Sequence, residues 1–303
     1  MVLGAGNQER AARTWCEKES HAGERELGIE VEFKILYFGA LAKAEPSMFY
    51  YDLLAAHRLV FGDAGLVAGL PERLRDPARI PGHEAARLLF NRGSGLFYSR
   101  YLIEEGGGKV DSGFVERNHA KARLAFADAV LTMNGRYAWS CQVRHERLGE
   151  RLEQRPGNFE ELVAWHEAAV EFKFHPRHEG VGIEVLRERQ GRLEEAWREL
   201  FLWVESRRLG REFRSAGEYA GYKGRVFPEF PVMRNLALHA RDRLKRGKGP
   251  GGWLDYPRAP LQRALMLLME GEWEAAGAVL GVGKGAAKRE IYEGYRRWWG
   301  FYN

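Results

Sequence analysis

The chain has 303 residues, enough for one large or two ordinary domains. Hydrophobic residues make up 45% and charged residues 29%, which excludes a disordered chain, and no apolar run approaches the roughly 20 residues of a membrane span. A net charge of +5 and a pI near 9.1 favour anionic partners only weakly, while Cys16 and Cys141 are too few to build a metal site alone.

No secretory leader pattern opens the chain, and the two thiols are expected to be free, so the cytoplasm is the expected compartment. Residues 1–28 are polar and aperiodic; Ala11–Lys18 has the composition for a helical turn or two but few core residues. In 29–38, Ile29, Val31, Phe33 and Ile35 alternate with Glu30, Glu32 and Lys34, the period of a half-buried strand. A lone strand leaves its backbone groups unpaired. Either a partner lies in the first 28 residues, or the rest of its sheet is absent from this chain.

After Pro46 the pattern is helical. Ser47 is placed to cap a helix over Met48–Phe61. A short segment at Leu66–Leu70 leads into a linker containing Pro71, Pro77 and Pro81. Two long amphipathic patterns follow, His83–Leu102 and Phe114–Met133, joined through Gly106-Gly107-Gly108. Further helices are expected over Tyr137–Arg151, Phe159–Phe174, Gly182–Gly210, Pro231–Lys245, Pro257–Glu270, Trp273–Leu280 and Ala286–Tyr302. No fixed-period repeat is present. The fold expected is mainly α: a bundle-like array of helices with one or two short N-terminal strands. The expected organisation is a sheet remnant over 1–45, a helical domain over 46–155 and a second helical region over 156–303 packed on it.

The candidate chemistry lies in the central pair of helices. Phe114, Asn118, Lys121, Ala125, Asp128 and Thr132 are spaced three and four apart and share one helix face. A core stripe carries apolar residues only, so the amide, ammonium and carboxylate there suggest a pocket for something charged. Asn91-Arg92-Gly93-Ser94-Gly95 interrupts the partner helix in the same way. Two ordinary surface faces would give the same pattern. Lys121 and Arg92 are the candidates for phosphate contact, Lys as a point charge and Arg as a fork, while Arg117 and Arg123 read as solvated. Glu30 and Glu32 point to one strand face, suited to a divalent metal or to acid–base work, or to simple solvation.

Other motifs fall short. Gly281-Val282-Gly283-Lys284-Gly285 lacks the Ser or Thr after Lys, and has Ala278 where a phosphate loop needs Gly. His175-Pro176-Arg177-His178, His145-Glu146 and His166-Glu167 complete no zinc signature and read as surface histidines. Arg234, Arg241, Arg243, Lys245, Arg246 and Lys248 form a basic run that can touch a nucleic-acid backbone or be a solvated helix end. Trp298, Trp299, Phe301 and Tyr302 read as core, because large aromatics contribute most when buried.

The order of segments resembles a known family. It comprises the strand Glu30-Val31-Glu32-Phe33, then Pro46-Ser47-Met48-Phe49-Tyr50-Tyr51-Asp52-Leu53 and Val60-Phe61-Gly62-Asp63. Arg87-Leu88-Leu89-Phe90-Asn91-Arg92, Arg117-Asn118-His119-Ala120-Lys121-Ala122, Asp255-Tyr256-Pro257-Arg258-Ala259 and the Trp-rich end follow. From residue 29 on, this resembles the nucleotidyltransferase superfamily, the polymerase-beta-like group that includes aminoglycoside adenylyltransferases. The resemblance implies a magnesium-dependent transfer from a nucleoside triphosphate. Glu30 or Glu32 would be the third metal-binding carboxylate, with Glu32 as metal ligand, and Asn91, Arg92, Asn118, Lys121 and Asp128 would face the nucleotide. The family's Gly-Ser turn and Asp-x-Asp pair are missing, and residues 1–28 contain no Asp. Two-metal catalysis needs several carboxylates, so the chain is expected to lack transferase activity by itself, as a truncated product or a degenerate relative kept for binding. The alternative is a non-enzymatic helical interaction module, reaching nucleic acid through 234–248.

Overall fold

Two extended segments meet at the start of the chain. In the computed structural model, which describes residues 2–4, 9–105, 110–177, 180–247 and 249–302, β1 (Val2–Gly4) pairs in parallel with β2 (Ile35–Tyr37), Val2 opposite Ile35 and Gly4 opposite Tyr37. Of the two alternatives for this strand, a partner in the first 28 residues is the one found. Among the described residues, 35–37 of the 29–38 pattern enter the ladder, opposite Val2, Leu3 and Gly4. Between the strands runs α1 (Glu9–Leu27), longer than the turn or two expected. Its Ala, Glu, Arg and Lys are strong helix formers, so propensity supplies what a thin core does not. Trp15 meets Phe33 edge-on at 5.5 Å, and Cys16 is buried.

The first unit is completed by α2 (Phe38–Leu41), α3 (Met48–Ala55) and α4 (Ala64–Ala68). Ser47 caps α3, accepting from the Tyr50 amide at 3.2 Å. The helix stops at Ala55 rather than Phe61, and the His57 ring donates from Nδ1 to the Leu54 carbonyl at 3.0 Å, where a continued helix would place a backbone amide. Leu41, Leu54, Val67, Leu70 and Leu74 form its core. Arg73 and Arg75 satisfy loop carbonyls around it, Arg73 at Ala42 and Ala44 and Arg75 at Leu70 and Val67.

The chain divides into compact units 1–80 and 81–303. The division lies inside the stretch expected as one helical domain, 46–155, and none falls at 155/156. The reason is that the central helices take their partners from both sides of residue 155.

The second unit begins with α5 (Gly82–Glu105) and α6 (Ser112–Met133), which lie antiparallel, Gly82 near Met133 and Gly95 near Asn118. The glycines between them in sequence, 106–108, fall outside the described residues. After α7 (Cys141–Leu148) and α8 (Phe159–Phe174), the long α9 (Ile183–Leu209) crosses α5. The rest is α10 (Ala216–Ala220), α11 (Val232–Arg246), α12 (Ala259–Glu270), α13 (Trp273–Leu280) and α14 (Lys288–Tyr302). Among the described residues the protein is mainly α, and no helix is long and apolar enough to cross a membrane.

The interrupted run in α5 has a packing cause. A Cβ on Gly93 would lie 2.4 Å from the Trp197 ring, whose indole Nε1 donates to the Leu89 carbonyl at 2.7 Å. One on Gly95 would lie 2.7 Å from Asn118 Oδ1. Ser94 shares a 2.7 Å hydrogen bond with the buried Tyr295 hydroxyl. Small and polar residues stand mid-helix because two neighbouring elements approach that closely. Trp298, Trp299, Phe301 and Tyr302 pack on the same core, as their size suggests. Gly281–Gly285 is the loop between α13 and α14.

Candidate binding cleft between three helices

Glu116, His119 and Arg123 follow one another by three and four along α6, which puts them on one face. That face, with α8 and the start of α9, bounds a cleft of about 290 Å³, near the lower end of the ~300–1,000 Å³ usual for small-molecule sites. Ala168, Ala169 and Phe172 of α8 give it an apolar wall. Arg177 and His175 after α8, and Arg189 of α9, close its polar side. Three guanidinium groups therefore face two carboxylates, Glu116 and Glu171.

His119 is set by what lies behind it. The Gln190 amide nitrogen donates to the Leu96 carbonyl at 2.8 Å and to Glu194 at 2.7 Å. Its carbonyl oxygen is thus the acceptor for His119 Nε2, 2.7 Å away. With the proton fixed on Nε2, Nδ1 is left as an acceptor. Burial first, then the charges of Arg123 and Arg189, lowers the His119 pKa to about 4, so the ring is neutral near pH 7. The chain of bonds continues from Glu194 to Arg100 at 3.0 Å and from Arg100 to the Leu268 carbonyl at 2.5 Å. Burial raises the Glu194 carboxyl against the pull of Arg100. A neutral acceptor among arginines, beside an apolar wall, can hold an anionic ligand that also carries a hydrogen-bond donor.

The residues singled out from sequence lie elsewhere. Asn118 donates to the Phe114 carbonyl at 3.1 Å and packs at Gly95. Lys121 is exposed and outside the cleft lining. Asn91 is half-buried, with its Oδ1 unbonded. Arg92 is half-buried too; desolvation lowers its pKa and Asp128 opposes that. Asp128 is buried and 3.1 Å from Arg144 Nε, while Arg144 donates to the Tyr137 hydroxyl at 2.7 Å. So the structure joins Arg92 and Asp128 in one charge cluster but does not bring the five residues to one cavity.

His166 belongs to that cluster and is fully buried, not on the surface. Its ring stacks on His145 at 5.5 Å, and its Nε2 lies 3.9 Å from Asp128. Burial, then Arg144, lowers its pKa to about 3. The apolar neighbours of His166 along α8, Leu162 and Ala169, at steps of four and three, were the legible sign that it faces the core. His175 is exposed, and His178 lies outside the described residues.

Glu30 and Glu32 are exposed in the first unit, on a segment outside the ladder. Among the described residues no three His, Cys, Asp or Glu side chains come together to hold a metal ion. These carboxylates do not fit a two-metal centre, which needs several converging donors. In the basic segment, Arg241 pairs with Asp242 at 2.9 Å, and Arg234 and Arg243 lie over the Phe230 and Trp253 rings. Lys248 lies outside the described residues.

Sequence reasoning missed Glu116, His119 and Arg123 by following the opposite stripe of α6 and reading Arg123 as solvated. The i, i+3, i+7 spacing of a carboxylate, an imidazole and a guanidinium was the available signal. Nothing local points to Arg189, whose place in the cleft depends on how α9 crosses.

Among the described residues the protein is mainly α-helical, with a cleft of about 290 Å³ lined by Arg123, Arg177 and Arg189. The chain matches no protein-family model, no curated protein and no solved structure.

Proposed function

We propose that the protein binds a small phosphorylated ligand of the nucleotide class in the α6–α8–α9 cleft, and does not itself transfer a nucleotidyl group. The observation that carries this reading is the neutral His119 acceptor held among Arg123, Arg177 and Arg189. Guanidinium groups suit phosphate oxygens, the Nδ1 lone pair suits an amino or hydroxyl donor, and Phe172 with the alanine wall suits a base. The nucleotide class is what the nucleotidyltransferase resemblance adds. Binding without transfer follows from the donor set, since Glu30 and Glu32 have no converging third carboxylate among the described residues.

Titration calorimetry with adenosine mono- and triphosphate, with and without magnesium, tests the reading. Arg189→Gln and Arg123→Gln should each weaken binding about 10- to 100-fold, the loss of a charge-assisted hydrogen bond of ~1.5–3 kcal/mol. Lys121→Ala, on the exposed stripe, should leave affinity unchanged. Undetectable binding, or loss in Lys121→Ala alone, would sink the proposal. The basic 234–248 segment is a weaker basis for function, because Arg241 is already ion-paired and Arg234 and Arg243 lie over aromatic rings.

A further inference from the structure

A second cavity, of about 180 Å³, opens where α11, the turn before α12 and the end of α14 converge. Its charged lining is Arg241, Lys245, Arg258 and Asp242, and its rings are Tyr256, Phe301 and Tyr302. The single carboxylate is already engaged. Asp242 pairs through Oδ1 with Arg241 at 2.9 Å and lies beside Tyr302, while its Oδ2 is buried with no hydrogen-bond partner. That leaves two positive charges, Lys245 and Arg258, uncompensated in the lining.

Arg258 is the unusual one. It is half-buried, and among the described residues no carboxylate forms an ion pair with it. Arg87, itself held by Glu84 at 2.7 Å, adds a like charge near enough to act with burial in lowering the Arg258 pKa. A partly desolvated cation beside another cation is unfavourable unless something answers it. We propose that this cavity is a second binding site, independent of the α6–α8–α9 cleft, for a phosphate monoester. The phosphoryl group sits on Arg258 and Lys245, and the organic part sits against Tyr256, Phe301 and Tyr302. A phosphate carrying about −1.5 to −2 charge matches the two free cations, whereas a carboxylate compensates only one.

The test uses the full chain, with inorganic phosphate, phenyl phosphate and benzoate as probes, at constant ionic strength against chloride. Thermal melts and calorimetry are read together. Phenyl phosphate should bind more tightly than inorganic phosphate and than benzoate. Lys245 is exposed, so Lys245→Gln should fold normally, and it should weaken phenyl phosphate about fivefold or more. Arg258→Gln should weaken it about tenfold or more, and in phosphate-free buffer should melt no lower than the parent. Arg189→Gln should leave this binding intact, so the site stands or falls apart from the proposed cleft. The assignment is overturned if phenyl phosphate binds no better than benzoate or inorganic phosphate. It is also overturned if Lys245→Gln and Arg258→Gln bind like the parent, or if Arg258→Gln lowers the phosphate-free melting temperature.

Discussion

His119 shows how one side chain couples a site to the stability of the fold. Its folded pKa is about 4 against an ordinary 6.5. Between those values the unfolded chain takes up a proton that the folded chain refuses. Stability therefore rises with pH across this window: it is complete above pH 6.5 and is lost as pH falls toward 4. The shift corresponds to roughly 3 kcal/mol for a buried ring. His166, lowered to about 3, acts in the same direction. Urea unfolding at about pH 7.5 and about pH 5 should show the acid loss, and His119→Gln should reduce the difference by roughly 2 kcal/mol. An unchanged pH dependence would remove the buried neutral imidazole from the account. Gly93 makes a steric prediction at the same scale. Gly93→Ala drives a methyl into Trp197 and should cost about 2–3 kcal/mol, read as a lower denaturant midpoint with unchanged slope. The Gly is plain in the sequence, but the Trp197 indole that requires it lies far along the chain and has no local signature.

At the scale of elements, α6 is bound on two sides by different chemistry. Toward α7 and α8 it presents Asp128 to Arg144 and His166, a buried ionic cluster. Removing one partner of such a pair leaves the other charged and desolvated. Arg144→Ala should therefore destabilise by about 3–5 kcal/mol, while the joint change Asp128→Leu with Arg144→Met should recover much of it. Chemical denaturation of Arg144→Ala, Arg144→Met, Asp128→Leu and the double variant decides this, and additive losses would argue against a coupled pair. Toward α8 and α9 the same helix lines the cleft. The periodicity of α6, α8, α9, α12, α13 and α14 was readable because amphipathic spacing is written into consecutive residues. The polar stripe was readable as well, but not its surroundings. Asn118 meets a glycine, Asp128 an arginine and Lys121 solvent, and each outcome depends on what the neighbouring helix places opposite.

At the scale of the whole molecule, the core of residues 81–303 draws on α5, α6, α9, α12 and α14 together. A chain starting at Pro81 should keep a cooperative unfolding transition, and it should keep the cleft, since all the cleft's lining residues lie in that unit. Circular dichroism melting and the calorimetric titration on that fragment check both. A non-cooperative melt would mean that residues 1–80 are needed to complete the core. By itself the sequence determined the helical class, most helix positions, the Ser47 cap and the packing of the C-terminal aromatics against the core, because these depend on propensity and on spacing within a single segment. Only the tertiary structure decided that residues 35–37 pair with residues 2–4, that the units divide at 80/81, that His166 is buried and that Arg123, His119 and Arg189 share a cleft. Each of those depends on contacts between residues far apart in the chain, and the period of one helix says which residues share a face but not what that face will meet.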